Sequence, residues 1–208
     1  MSREHNPIIE RPDREAGRLE AFSDGIFAVA ITLLALDIGL PKGNFETEGS
    51  LLRGIFALWP KYFAYLNSFV TILLMWMAHH SIFNMVKHVT KPLIIANGFL
   101  LLLAVLTPFP TRVLGDFILS GSFRTAAVFY TGFFILISIA FTILWFVIKG
   151  DQRILKVHIT HDLIISQTRI EFTGLACNIL ILLTTLLNPW AGLILNTAMW
   201  IYWLIKTQ

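Results

Sequence analysis

Charge is the scarcest feature of this chain. Of its 208 residues, 16 are Lys or Arg and 13 are Asp or Glu, 14% together, whereas a soluble domain carries about 25%. That shortage excludes an ordinary soluble domain, a disordered segment and a charged coiled coil. Cysteine is nearly absent as well. Cys177 stands alone in an apolar run, so the chain holds no disulfide framework and no thiolate metal site. Residues 1–18 contain no short apolar run ahead of a small-residue cleavage site, so no signal peptide is expected and the first apolar run is kept as a span. The net charge is +3, yet the basic residues form no patch and no nucleic-acid motif, so no nucleic-acid partner is expected. A nucleotide-binding loop, a calcium loop and a voltage-sensor repeat of Arg at every third position are all missing.

Long apolar runs fill the rest. Hydrophobic residues make up 56% of the chain, and the mean hydropathy is +0.71. A spanning helix needs roughly 20 apolar residues. Six stretches qualify: 19–40, 61–86, 92–114, 125–148, 170–187 and 189–205. Pro41 ends the first, Pro92 opens the third, and Asn188-Pro189 makes a tight hairpin between the last two. The expected organisation is a cytoplasmic tail over 1–18 and one six-helix membrane domain over 19–208, an all-α integral membrane protein. With six spans, eleven Lys and Arg fall on the side of the termini and five on the other. The positive-inside rule then puts both termini in the cytoplasm.

A charge near the bilayer centre costs at least about 2.5 kcal/mol, so each polar residue inside a span needs a reason. Glu20, Asp37 and Glu171 lie near span ends, where solvation is reason enough. Asp24 lies about one turn inside the first span, beside Ser23 and Gly25. His79 and His80 lie at similar depth in the second, so an Asp–His or Ser–His hydrogen bond between the two helices is expected. No metal site is expected. Adjacent histidines point about 100° apart on a helix, and no HExxH spacing is present. No cofactor is implied. His158 and His161, beside Asp162, belong to the basic 149–169 segment and read as a solvated loop helix.

The first span also carries an aliphatic stripe. At about 100° per residue, Val29, Leu33 and Leu36 fall within about 60° of one another, with Thr32 on the flank. Asp24 lies about 140° from Val29, and Ser23 about 120° away on the other side. The polar pair therefore faces away from the stripe, and the stripe itself suits either lipid or a core.

These residues resemble a family. Arg18-Leu19-Glu20-Ala21-Phe22-Ser23-Asp24-Gly25 matches RxxxFSDG. Tyr65, Ser68-Phe69, Trp76 and His79-His80 resemble its second span, and Asn97 and Pro108-Phe109 its third. The chain is similar to the bacterial branch of the lysosomal potassium channel family (transmembrane protein 175). The resemblance implies a potassium-selective cation channel of the bacterial cell membrane, built as a homotetramer with the pore on its axis. The chain has no TVGYG, so a carbonyl filter of that type is not expected. By position, Val29, Leu33 and Leu36 match the family's hydrophobic constriction, and Thr32 matches a selectivity layer. Val29 is smaller than the usual Ile or Leu, which leaves open which layer is narrowest. Arg18, Phe22, Ser23, Asp24, Trp76, His79 and His80 match a polar and packing network behind the pore helix.

Two other classes compete. A proton-coupled secondary transporter would use Asp24 with His79 and His80 as its coupling site. An intramembrane enzyme would need Ser23, Asp24 and His79 as a triad. Neighbours on one helix cannot flank an imidazole from opposite sides, so no enzyme is expected.

Overall fold

The computed structural model describes residues 11–36, 38, 39 and 47–206, with the backbone alone at 11–14 and 206. Asp37, Pro41, Lys42 and the first ten residues, including Arg3, lie outside the described residues, as does the end of the expected first span. Among the described residues eight helices follow in order: α1 Arg11–Leu36, α2 Glu48–Ala57, α3 Trp59–Phe83, α4 Lys91–Leu106, α5 Pro108–Phe117, α6 Phe123–Gly150, α7 His161–Leu187 and α8 Pro189–Lys206. The protein is an all-α membrane protein. Among the described residues five segments are long and apolar enough to cross a bilayer: Glu15–Leu36, α3, α4 with α5 as one run, α6 and α7. α8 has 18 residues, about 27 Å at 1.5 Å each, just under the roughly 30 Å hydrocarbon core.

Several expectations about elements change. The segment between the first two spans folds as α2. Thr47 accepts the Ser50 amide, and the Ser50 hydroxyl accepts the Thr47 amide in return, at 3.2 Å each. That reciprocal cap starts a helix in a stretch to which no element was assigned. The third span is broken at Thr107, because Pro108 has no N–H to continue the ladder. α7 begins at His161, nine residues before the expected start, where Thr160 caps it through the Leu163 amide. His161 thus opens a long membrane helix, and only His158 remains in the loop. Glu171, expected in solvent at a span end, is 8% exposed inside the helical bundle.

Packing fixes which ends of the helices lie together. At one end the α3–α4 and α6–α7 loops pair: the Lys87 amide donates to the Ile154 carbonyl at 2.6 Å and the Lys156 amide to the Met85 carbonyl at 3.0 Å. At the other end Trp59 stacks on Trp190 with centroids 6.5 Å apart, Lys61 pairs with Asp116 at 2.9 Å, and Arg124 donates to the Leu186 carbonyl. The Asn188 carboxamide caps α8 by accepting the Trp190 and Ala191 amides at 3.0 and 3.2 Å.

A buried aliphatic and aromatic core runs through α1, α3, α4, α5 and α6. α1 packs on α3, α4 and α5 and leaves one side open.

Candidate functional site

α1 has two faces. Ser23, Phe27, Ala30 and Leu34 are at most 1% exposed and turn into the bundle. Val29 is 51% and Leu36 79% exposed; Thr32 is exposed, and Leu33 is half-buried at the stripe's edge. The Thr32 hydroxyl donates to the Val29 carbonyl at 2.8 Å. Its proton is thereby committed to the backbone, and its oxygen keeps only acceptor lone pairs for the outside.

The buried face docks through polar bonds. His79, on α3, is fully buried, and its Nε2 lies 2.9 Å from Asn97 Oδ1 on α4. A carboxamide oxygen only accepts, so Nε2 carries the proton and donates. Asn97 Nδ2 donates to Ser23 Oγ at 2.9 Å. Ser23 Oγ in turn donates to the Leu19 carbonyl at 2.9 Å. The chain runs in one direction, across three helices, and stops at a backbone oxygen. Among the described residues His79 Nδ1 is buried with no partner. It sits among rings: Phe83 stacks on the imidazole at 4.2 Å and Phe27 meets it edge-on at 5.4 Å.

Asp24 is elsewhere. Its Oδ1 accepts the Trp76 indole N–H at 2.8 Å. That contact accounts for Trp76 lying deep in α3. His80 leaves the network too: its Nδ1 pairs with Glu20 at 2.8 Å, and its ring stacks on Trp76 at 5.8 Å. Glu20 is therefore half-buried and paired, rather than simply solvated.

The expected direct Asp–His and Ser–His bonds do not form. Asp24 meets an indole, and Ser23 reaches His79 only through Asn97. The two histidines point to different partners, and no group of three metal-ligating side chains occurs among the described residues. Arg18 is exposed and Phe22 is 61% exposed; both lie on the outward face with Val29 and not behind it.

Asn97, the residue that joins the three helices, is what sequence reasoning left out of the site. An Asn in an uncharged span always needs a partner, which was the available signal. A second buried cluster was also missed. Ser68 lies 2.6 Å from Thr111 Oγ1 and 3.1 Å from the Tyr130 hydroxyl, tying α3 to α5 and α6.

Residues 18–108 match the family model described as "Endosomal/lysosomal potassium channel TMEM175". A potassium channel of Chamaesiphon minutus is 43% identical over 139 residues, which is 66% of this chain and 68% of that one. A potassium channel of Streptomyces collinus is 40% identical over 132 residues, 63% of each. The crystal structure of a lysosomal potassium-selective channel homologue from Chamaesiphon minutus superposes with a TM-score of 0.84 at 32% identity, covering 94% of this chain and 99% of that one.

Proposed function

This chain belongs to the TMEM175 family of potassium channels, and from that premise we propose that it is a potassium-selective homotetrameric channel whose pore is lined by α1. The family conducts ions, and the chain is not an enzyme. In this reading α8 is the sixth span, both termini are cytoplasmic, and four copies of α1 surround the axis.

The single observation that carries the pore assignment is the exposed stripe. Among the described residues Val29, Thr32 and Leu36 are exposed, on the side of α1 turned away from α3, α4 and α5. Rings of aliphatic side chains at Val29, Leu33 and Leu36 exclude water when narrow and gate by dewetting. The Thr32 oxygens, with their protons committed inward, replace part of a potassium ion's hydration shell and give selectivity. The Ser23, Asp24, Trp76, His79 and Asn97 bonds hold α1 at the rotation that points the stripe at the axis.

A proton-coupled transporter is disfavoured by the same geometry. Asp24 and His79 share no hydrogen bond, and the indole between Asp24 and α3 cannot relay a proton because it only donates.

Flux from purified protein in liposomes tests the reading. A potassium gradient is imposed, a proton-sensitive dye reports charge compensation, and sodium replaces potassium in a second run. Fast flux in potassium, weaker in sodium, that needs only an electrical shunt is expected. Val29→Ala and Leu33→Ala should raise basal current. Flux that appears only with a proton gradient would establish the transporter. Current unchanged by both alanines would remove the stripe from the gate.

A further inference from the structure

Away from α1, a cavity of about 260 Å³ lies between α3, α6, α7 and α8. Glu171 stands in its wall, 8% exposed. Gln167 donates to Glu171 Oε1 at 2.7 Å. Among the described residues Oε2 accepts no hydrogen bond, and no Lys, Arg or His lies within ion-pair distance of the carboxylate. Trp200 lines the same cavity at 7% exposure, and its indole N–H has no partner among the described residues. Phe134, Phe141 and Trp203 complete an aromatic wall.

Each unpartnered group asks for a definite complement. A buried carboxylate with one hydrogen bond is costly until a cation joins it. Aromatic faces attract ammonium groups, most strongly where water is excluded. An indole N–H only donates, so it asks for an acceptor oxygen. Water satisfies the indole but does not compensate Glu171 in its ionised form. The volume sits just under the roughly 300–1,000 Å³ range of small-molecule sites, which limits the occupant to a compact body.

We propose that this cavity binds a small lipophilic ammonium that also carries an acceptor oxygen, the ammonium on Glu171 and the oxygen on the Trp200 indole. That chemistry comes either as a free amino alcohol or as the headgroup of an ethanolamine phospholipid. The site is independent of the α1 network and of the pore.

The probe is radiolabelled 3-amino-1-adamantanol, equilibrated with the full chain in phosphatidylglycerol nanodiscs, with protein-free discs subtracted. Saturable binding is expected. It should fall at least tenfold in Glu171→Gln, which keeps an acceptor for Gln167 and removes the charge. The uncharged 1,3-adamantanediol should bind at least tenfold more weakly. Trp200→Phe should remove the preference over 1-adamantylamine, which lacks the oxygen. Gly174 lines the cavity with open space where a Cβ would go, so Gly174→Leu should abolish binding and serves if Glu171→Gln does not assemble. Competition by added phosphatidylethanolamine supports the proposal and assigns the headgroup; absence of competition, with saturable binding, supports it and assigns the free amine. Equal binding of the diol, or binding unchanged in Glu171→Gln or in Gly174→Leu, would overturn it.

Discussion

Replacing Asn97 with Leu isolates the joint between α1, α3 and α4. Asn97 is 1% exposed, and its two polar atoms satisfy His79 on one side and Ser23 on the other. Leucine keeps the same branched skeleton, is bulkier, and offers no polar atom. The His79 N–H then has no acceptor, and because Nδ1 already lacks a partner, the imidazole is left buried without a single hydrogen bond. Ser23 loses less, since its hydroxyl still donates to Leu19. An unsatisfied buried donor costs about 1–3 kcal/mol. A chain of this size loses roughly 2–4 °C of melting temperature per kcal/mol, so the variant should melt about 2–12 °C lower. His79→Phe alone should cost a similar amount by orphaning the carboxamide oxygen. The double variant removes both partners, and its loss should fall short of the summed single losses by about 1–3 kcal/mol. Membrane proteins often unfold irreversibly, so all four proteins are heated at one rate and the surviving folded fraction is read by size exclusion. Strict additivity would mean that the 2.9 Å contact does not hold the helices together.

Asp24→Asn should assemble normally, since a carboxamide oxygen still accepts the Trp76 indole; Asp24→Leu should lose about 1–3 kcal/mol by orphaning it, read by the same heating assay. A potassium-to-sodium preference altered in Asp24→Asn would instead put this side chain in contact with ions. Gly192→Ala should be severe: an added Cβ would lie 2.7 Å from the Thr185 Cα, forcing α7 and α8 apart at about 1–3 kcal/mol. Thr185→Ala should not rescue it, because the backbone atom remains. Tyr130→Phe should cost only about 0.5–1.5 kcal/mol, since Ser68 keeps Thr111.

Five of the six expected spans were legible because apolar length is a strong signal, and the two faces of α1 followed from helical periodicity alone. Asp24, Ser23 and the His79-His80 pair also stood out, because polar residues in spans are few. Their partners did not stand out. A helical wheel gives direction on one helix, whereas Asp24 meeting Trp76, and Asn97 bridging His79 to Ser23, depend on how three helices cross. Arg18 and Phe22 were grouped with the network by motif, although their own offsets from Val29, about 20° each way, already placed them on the outward face. α2 was missed because ten residues are too few for a span, yet its Thr47–Ser50 cap was readable. The early start of α7 was obscured because His161, Asp162 and Arg169 resemble a loop, while Glu171 is polar and buried for reasons that lie on other helices.

In the proposed pore lined by α1, the network also constrains opening. The side-chain oxygens of Ser23 and Asp24 lie on the order of 4–5 Å from the helix axis, beyond the 2.3 Å backbone radius, so turning α1 alone by about 40° moves them about 3 Å. That displacement is as long as the bonds to Asn97 and Trp76, 2.9 and 2.8 Å, and would break both. Rotation of α1 by itself therefore breaks one buried and one half-buried polar contact, whereas α1, α3 and α4 swinging outward together keeps them. The alternatives separate experimentally. If α1 rotates alone, weakening the contacts should favour the open state, and Asn97→Leu and Asp24→Leu should both raise the open probability of single channels. If the three helices move as one body, the same variants should lower the melting temperature and leave the opening equilibrium of the folded channels within about twofold of the parent, roughly 0.4 kcal/mol, because the lost bonds are absent from both states alike.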